Sequence, residues 1–526
     1  MLHVVAICSN NFKNAEFDDH LKPLAEPLDA QLWGLLPGFH RLAFDDGHVL
    51  LTLCIGDVHT LLRQQRFVAD SVYLNQPSRT ANDALHTIKA SARLCRRGTV
   101  FTATQPDAHM QSALRQCGFE SSGPTALQYV FNPAWQSKKS PLEVHPTTCV
   151  VIGAGLAGAA VASSMARRGW AVTVLDAAAT PASGASSLPA GLLVSHTSPD
   201  DSLLSRLSRS GVRMTLQQAR TVLRHGMDWG HTGVLQRSFE ATTSSTPTAW
   251  SHQPLLAARD WCYPASNQTL AAAGLLPGTA AVWHAAAGWV QPAALVNAWL
   301  ATPGVTWRGS AEVAQLEQTS NGWCVMDAAG HLLHEANIIV LCAGHASQPL
   351  AKVAGGAPPD LQAVRGQVTF GLQLDSGGLA PLPPFPVNGD GGLISNIATP
   401  NGPLWLMGAS YERDTAAAEL KPQDHIENLA RLQKLLPPVA DALADQFKGD
   451  AALGWAGIRC ATPNRLPLVA PLAGSDGVWL CTGMGSRGLS FAALCGELLA
   501  AQLHQEPLPI TQKMADALRR PAAKIL

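Results

Sequence analysis

Hydrophobic positions follow two different patterns along the chain, and the change between them divides it. In the first part, short apolar runs alternate with amphipathic stretches. Strands are expected at 48–55, 70–74 and 99–104, helices at 82–95 and 107–116, and a closing hairpin over 118–132. Residues 134–146, AWQSKKSPLEVHP, are polar and proline-containing and read as a linker. Beyond them the runs become continuously apolar. TTCVVI (147–152) is a β-branched run of the kind a strand covered on both faces requires.

The most informative stretch of the sequence comes directly after that run. Gly153-Ala154-Gly155-Leu156-Ala157-Gly158 leads into a helical pattern, AAVASSMARRG, and then into WAVTVLD, a second strand ending in Asp176. This is the full strand–turn–helix–strand setting that GxGxxG needs. Gly153 permits the tight turn, Gly155 lets a pyrophosphate approach the backbone, and Gly158 lets the helix lie close to the strand. The helix N-terminus offers unpaired N–H groups to phosphate. Asp176 is placed to accept ribose hydroxyls. A dinucleotide site is expected.

Later elements narrow the choice of dinucleotide. A Gly/Ser loop comes after the second strand, with Ala185, Ser186 and Gly191, where an NAD domain would carry a longer helix. NIIVLCAG (337–344) is a buried strand ending in Ala343-Gly344. Residues 480–499 read as strand, glycine loop and helix, with Gly483, Gly485, Ser486, Arg487, Gly488 and Leu489 at the turn. Two helix-terminus anion sites suit an extended cofactor such as FAD.

Composition removes several classes of function. With 47% hydrophobic and 14% charged residues, the 526-residue chain is no disordered protein. A net charge of −1 excludes a strongly basic nucleic-acid binder, so any RNA contact must be local. The eleven cysteines are scattered without a CxxC or a Cys/His cluster, which points to reduced thiols in the cytoplasm and no metal site. Neither a signal peptide nor a membrane span is expected.

VVIGAGLAGAAVA, GASS, AGWVQPAALVNAW, NIIVLCAGHAS, AVRGQVTF and GMGSRGL together resemble the D-amino-acid oxidase/glycine oxidase type of FAD-dependent amine oxidoreductase over residues 147–526. GASYERD, GIRCATPNRLPLV and GSRGLSFAALCGELLA resemble more narrowly the oxidoreductase half of the bacterial bifunctional proteins of tRNA 5-methylaminomethyl-2-thiouridine biosynthesis. The resemblance implies an α/β fold: a Rossmann-like FAD-binding domain with an α+β substrate domain, preceded by a partial Rossmann-like methyltransferase remnant. It implies FAD, bound non-covalently, and assigns about 147–225, 285–365 and 450–526 to the flavin part and about 226–284 and 366–449 to the substrate part. It also brings the backbone of Val313 to the adenine.

HLKPLAEPLDAQLWGLLPGFHRLAFDDGHVLLTLCIGD (20–57) resembles the distal part of the family's methyltransferase half. The family's upstream strand and S-adenosylmethionine loop have no counterpart. The family's L-D-G-F-x-P signature reads here Leu74-Asn75-Gln76-Pro77-Ser78. An amide cannot supply the charge of a carboxylate. Residues 1–133 are therefore expected to be an inactive remnant that does not use S-adenosylmethionine.

The implied substrate is 5-carboxymethylaminomethyl-2-thiouridine at the tRNA wobble position, whose carboxymethyl group leaves as glyoxylate after hydride transfer to the flavin. Its partner is thus tRNA at the anticodon loop, with no membrane partner; a monomer is compatible with the sequence. A glycyl carboxylate calls for an arginine fork. Arg459, in GIRCATP, is the first candidate, since relatives use the Arg of that motif. Arg365, Gln367 two residues beyond it, and Tyr411 are further candidates, and no general base stands out. Basic pairs at Arg96-Arg97, Lys138-Lys139 and Arg519-Arg520 with Lys524 offer phosphate contacts. A free glycine- or sarcosine-type flavin oxidase, or a non-catalytic tRNA-binding flavoprotein, are the alternatives.

Overall fold

The computed structural model describes residues 1–9, 22–75, 80–122, 127–135, 145–239, 255–373, 382–449 and 452–519. Most of the expected linker lies outside the described residues, as do Gln76, Pro77, Ser78, Lys138, Lys139, Arg520 and Lys524. The chain divides into two compact units, Met1–His145 with Ala500–Ala515, and Pro146–Leu499 with Asp516–Leu526.

The first unit holds two small sheets. Leu2–Cys8 pairs in parallel with Val49–Ile55, which pairs antiparallel with Gly38–Phe44. Ala69–Leu74, Cys95–Ala103, Gln128–Phe131 and Phe119–Ser121 form the other, in that order. Helices Ala81–Ala92 and Ala108–Gln116 bury Ile88, Met110 and Leu114 against Phe101 and Phe119. Each helix starts at a side-chain cap: Thr80 accepts from the Asp83 N–H and Asp107 from the Met110 N–H. The strands Leu2–Cys8 and Gly38–Phe44 were not expected.

Residues 500–515 belong with this unit, not with the flavin part to which the sequence assigned them. Within it, the buried Arg41 donates to the Pro507 carbonyl, and His3 Nε2 lies 3.5 Å from Glu506. An apolar helix such as Gly488–His504 carries no local sign that its neighbours change part-way along it.

The second unit is built on two large sheets, accompanied by two three-stranded ones. In the first, the strands run Val305–Arg308, Ala171–Leu175, Thr148–Ile152, Ile338–Leu341, Val478–Thr482 and Leu468–Pro471. All neighbours are parallel except the last pair. Thr148–Ile152 lies between strands that come later on either side, so a crevice opens at its C-terminal end, where such folds bind ligands.

The second sheet has nine strands. Leu453–Ala461 pairs along Gln362–Leu372 in this sheet; long-range strand partners are not encoded locally. On one face, Val387, Leu393, Trp405 and Met407 pack against Leu432, Leu435 and Leu436 of the helical segment that includes Pro422–Leu435 and Pro437–Leu443. On the other, Val368, Ile394 and Leu406 look toward Ala190 and Trp289.

Candidate active site

A cavity of about 1000 Å³ lies in the second unit, at the upper end of the usual range for ligand sites. One end is made by the glycine turn. Gly153 has φ +111°, and a Cβ there would sit 2.7 Å from the Cys342 carbonyl oxygen; one on Gly158 would lie 1.8 Å from the Gly153 carbonyl oxygen. Only glycine permits this close return of the helix Leu156–Ala166 onto the strand. Ser186 accepts from the Leu156 N–H at 3.0 Å and so caps the helix from the Gly/Ser loop.

Asp176 has a double task. Its Oδ2 accepts from the Ala154 N–H at 2.6 Å and its Oδ1 from the Ala178 N–H at 2.8 Å. The carboxylate thus shapes the turn, and its remaining lone pairs are available to ligand hydroxyls. The second glycine loop contributes Gly483 and Gly485, at φ +73° and +57°, before the helix Gly488–His504. Of the residues expected to hold the cofactor, Gly153, Gly155, Leu156, Ala157, Asp176, Ala185, Ser186, Gly191, Val313, Ala343, Gly344, Arg459, Gly483, Gly485, Ser486, Gly488 and Leu489 all line the cavity. Ala154 and Gly158 lie behind that surface and shape the turn. Arg487 is not on the lining either; it stands beside His196, whose imidazole is held below its ordinary value by burial and by that guanidinium.

Arg459 lines the cavity from the strand Leu453–Ala461. Its guanidinium lies against Gly366 of the neighbouring strand: a Cβ there would be 2.6 Å from Nη2, 2.7 Å from Cζ and 2.9 Å from Nη1. Among the described residues no carboxylate or carbonyl pairs with it. Burial pushes it below the ordinary arginine value, and the nearby Tyr411 phenol opposes that shift. A half-buried, unpaired guanidinium is costly unless a ligand anion completes it.

The other catalytic candidates lie elsewhere. Arg365 and Gln367 share a face, as their spacing predicts, but it is the packed face. Arg365 Nη1 donates to Asp424 Oδ2 at 2.6 Å and its Nη2 to Gln367 Oε1 at 2.7 Å. Gln367 completes the set by accepting from the Lys421 N–H at 2.8 Å and donating to the Lys421 carbonyl at 3.0 Å. Both side chains are fully buried and held by protein partners, and neither lines the cavity. Tyr411 is 54% exposed, outside the lining, with the Arg413 guanidinium 5.8 Å from its ring. Sequence reasoning missed Gly366, Asn388 and Trp455. Trp455 lines the cavity with its indole N–H fixed on Ser187 Oγ at 2.8 Å. Their only sequence signal was position within strands whose register was unknown.

Residues 148–502 match the family described as FAD dependent oxidoreductase, and residues 19–124 that described as S-adenosyl-L-methionine-dependent methyltransferase. The tRNA 5-methylaminomethyl-2-thiouridine biosynthesis bifunctional protein MnmC of Polaromonas naphthalenivorans (strain CJ2) is 51% identical over 95% of this chain and 81% of its own length. The chain belongs to the MnmC family. Another MnmC, from Polaromonas sp. (strain JS666 / ATCC BAA-500), is 50% identical over 98% of this chain and 84% of its own length. The glycine oxidase of Bacillus cereus ATCC 14579 aligns with a TM-score of 0.56 over 72% of this chain and 99% of its own, at 20% identity, which establishes the shared fold.

This MnmC-family chain is thus an FAD-dependent oxidoreductase of the glycine oxidase-like fold with a methyltransferase-like domain. The turn that no Cβ could enter, the two glycine loops and the size of the cavity fit FAD. Among the described residues no helix is long and apolar enough to cross a membrane, and no cluster of His, Cys, Asp and Glu suits a metal ion.

Proposed function

We propose that this chain modifies tRNA in the cytoplasm: it removes the carboxymethyl group of 5-carboxymethylaminomethyl-2-thiouridine at the wobble position as glyoxylate, leaving 5-aminomethyl-2-thiouridine. The observation that carries the reading is the unpaired Arg459 guanidinium inside a dinucleotide cavity. Its fork fits the terminal carboxylate by two parallel hydrogen bonds. FAD, held non-covalently by backbone amides of the two glycine loops, supplies the two-electron acceptor. Arg459 fixes the carboxylate so that the adjacent carbon, which gives up the hydride, has one orientation. The amine nitrogen releases its proton to solvent, leaving an imine. Water adds to that imine, the carbon–nitrogen bond breaks, and glyoxylate departs. Apolar neighbours, Val368, Ile394 and Leu406, exclude bulk water from the reacting carbon.

The methyltransferase step is absent on this reading, and S-adenosylmethionine is not a cofactor. Asn75 holds the place of the family's acid, and its Oδ1 accepts from the Thr104 hydroxyl at 3.0 Å. A neutral amide so engaged cannot orient an amine nucleophile by charge. Nucleoside analysis of tRNA incubated with the purified flavoprotein tests the proposal. The carboxymethylaminomethyl nucleoside is expected to disappear as the aminomethyl one and glyoxylate form in equal amounts. Turnover of free glycine or sarcosine with tRNA untouched would overturn it in favour of an amino-acid oxidase.

A further inference from the structure

The open face of the nine-stranded sheet carries a polar group that the reaction does not use. Asn388, on the strand Val387–Gly389, lines the cavity. Among the described residues its side-chain amide has no hydrogen-bond partner. The register places it in a row across the sheet: Asn388 opposite Gly392, Gly392 opposite Gly408, and Gly408 opposite Val368. The two positions between Asn388 and Val368 are glycines, and both line the cavity. Side chains crowd both glycines: a Cβ on Gly392 would lie 3.0 Å from Leu192 Cδ1, and one on Gly408 2.8 Å from Val368 Cγ1. Asn388 thus shares the open face with Arg459 and is bordered there by apolar groups.

We propose that Asn388 is a specificity residue that reads the hydrogen-bonding edge of the substrate's pyrimidine base. This rests on the function proposed above and names how its substrate is recognised. The edge of a uracil or 2-thiouracil ring presents an N3–H donor flanked by acceptors. A carboxamide offers one acceptor and two donors side by side and matches it with two bonds.

The test uses the full-length flavoprotein and two anticodon stem-loop RNAs. One carries 5-carboxymethylaminomethyl-2-thiouridine, and the other its N3-methyl derivative, in which the edge is blocked. The parent protein is expected to prefer the unblocked RNA by about tenfold or more in kcat/KM, the usual size of a lost pair of neutral hydrogen bonds. Asn388→Ala, with its flavin spectrum intact, is expected to lose most of that preference. Asn388→Asp, which keeps the size but lacks the donors, should do the same and guards against a cavity effect. Equal turnover of both RNAs by the parent would overturn the role of Asn388 while leaving the proposed function standing. So would a preference that survives both substitutions. Turnover of neither RNA would remove the proposed function, and this inference with it.

Discussion

Arg365 and Arg459 stand on paired strands, one residue out of register, with Val364 opposite Arg459 and Arg365 opposite Ile458. Strand alternation sends them to opposite faces of the same sheet. On the packed face Arg365 is enclosed by Asp424, Gln367 and the Glu419 carbonyl, and no hydrogen-bonding capacity is left for a ligand. On the open face Arg459 rests on a glycine and has no described partner. A buried arginine with a full set of acceptors holds a fold together; a similar arginine without them awaits an anion. Partner inventory, rather than burial or residue type, separates the structural cation from the functional one.

Removing each arginine breaks that comparison in a different observable. Arg459→Leu is expected to lower kcat/KM by about a thousandfold, near the 2–5 kcal/mol that goes with one partner of a desolvated ion pair. Flavin content and thermal midpoint should stay near those of the parent. Steady-state kinetics on the modified RNA decides it, and unchanged turnover would return Arg459 to the structural class. Arg459→Lys sharpens the point: the charge is kept and the fork is lost, so a partial recovery is expected. Arg365→Leu reverses the pattern. It leaves Asp424 buried without its cation, a loss of about 3–5 kcal/mol in unfolding free energy. Denaturant titration should show the lowered midpoint, while correctly folded protein retains its Michaelis constant.

Acid should reveal the packed interior before it affects the open face. His284 is buried, shares a hydrogen bond with Gln236 at 2.8 Å, and is held down to about 4 by burial. An unfolded imidazole titrates near 6.5, so the unfolded chain takes up the proton first as pH falls. The stabilisation is complete above about pH 6.5 and is lost on descending toward pH 4, by roughly 3 kcal/mol in all. His196, His231 and His425 are depressed by burial too and act in the same direction. The difference between parent and His284→Asn therefore carries the assignment: urea midpoints at pH 7 and pH 5 should lie closer together in the variant than in the parent. Equal slopes would mean that His284 is accessible to protons in the fold.

Local chemistry was legible in the sequence, and long-range pairing was not. The glycine turn, its helix and Asp176 could be read because each contact spans few residues and each glycine answers a backbone need. Ser186 was legible as part of a Gly/Ser loop, but its capping of Leu156 across thirty positions was not. Arg365 and Gln367 were correctly placed on one face; which face depended on the pairing of Gln362–Leu372 with strands far along the chain. The basic pair Arg96-Arg97 looked available for phosphate. In the fold Arg96 meets Asp70 at 2.5 Å, and Arg97 donates to Asn132 and the Pro133 carbonyl, so neither is free. Gly366 and Asn388 gain their meaning only from what the register places beside them.

Tyr411 gives the smallest expected effect and tests where the open face ends. Its phenol lies close enough to Arg459 to influence it, yet its ring is largely in solvent beneath Arg413. Tyr411→Phe removes the hydroxyl and keeps the ring. If the phenol only borders the site, kcat/KM on the modified RNA should change by no more than about threefold, the scale of one solvent-shared hydrogen bond. A loss of tenfold or more would mean that the hydroxyl touches the substrate carboxylate together with Arg459. The clamp would then consist of one residue on the strand Leu453–Ala461 and one on the segment leading into Glu412–Arg413, and the boundary between the packed edge and the open face would have to be redrawn to include that segment.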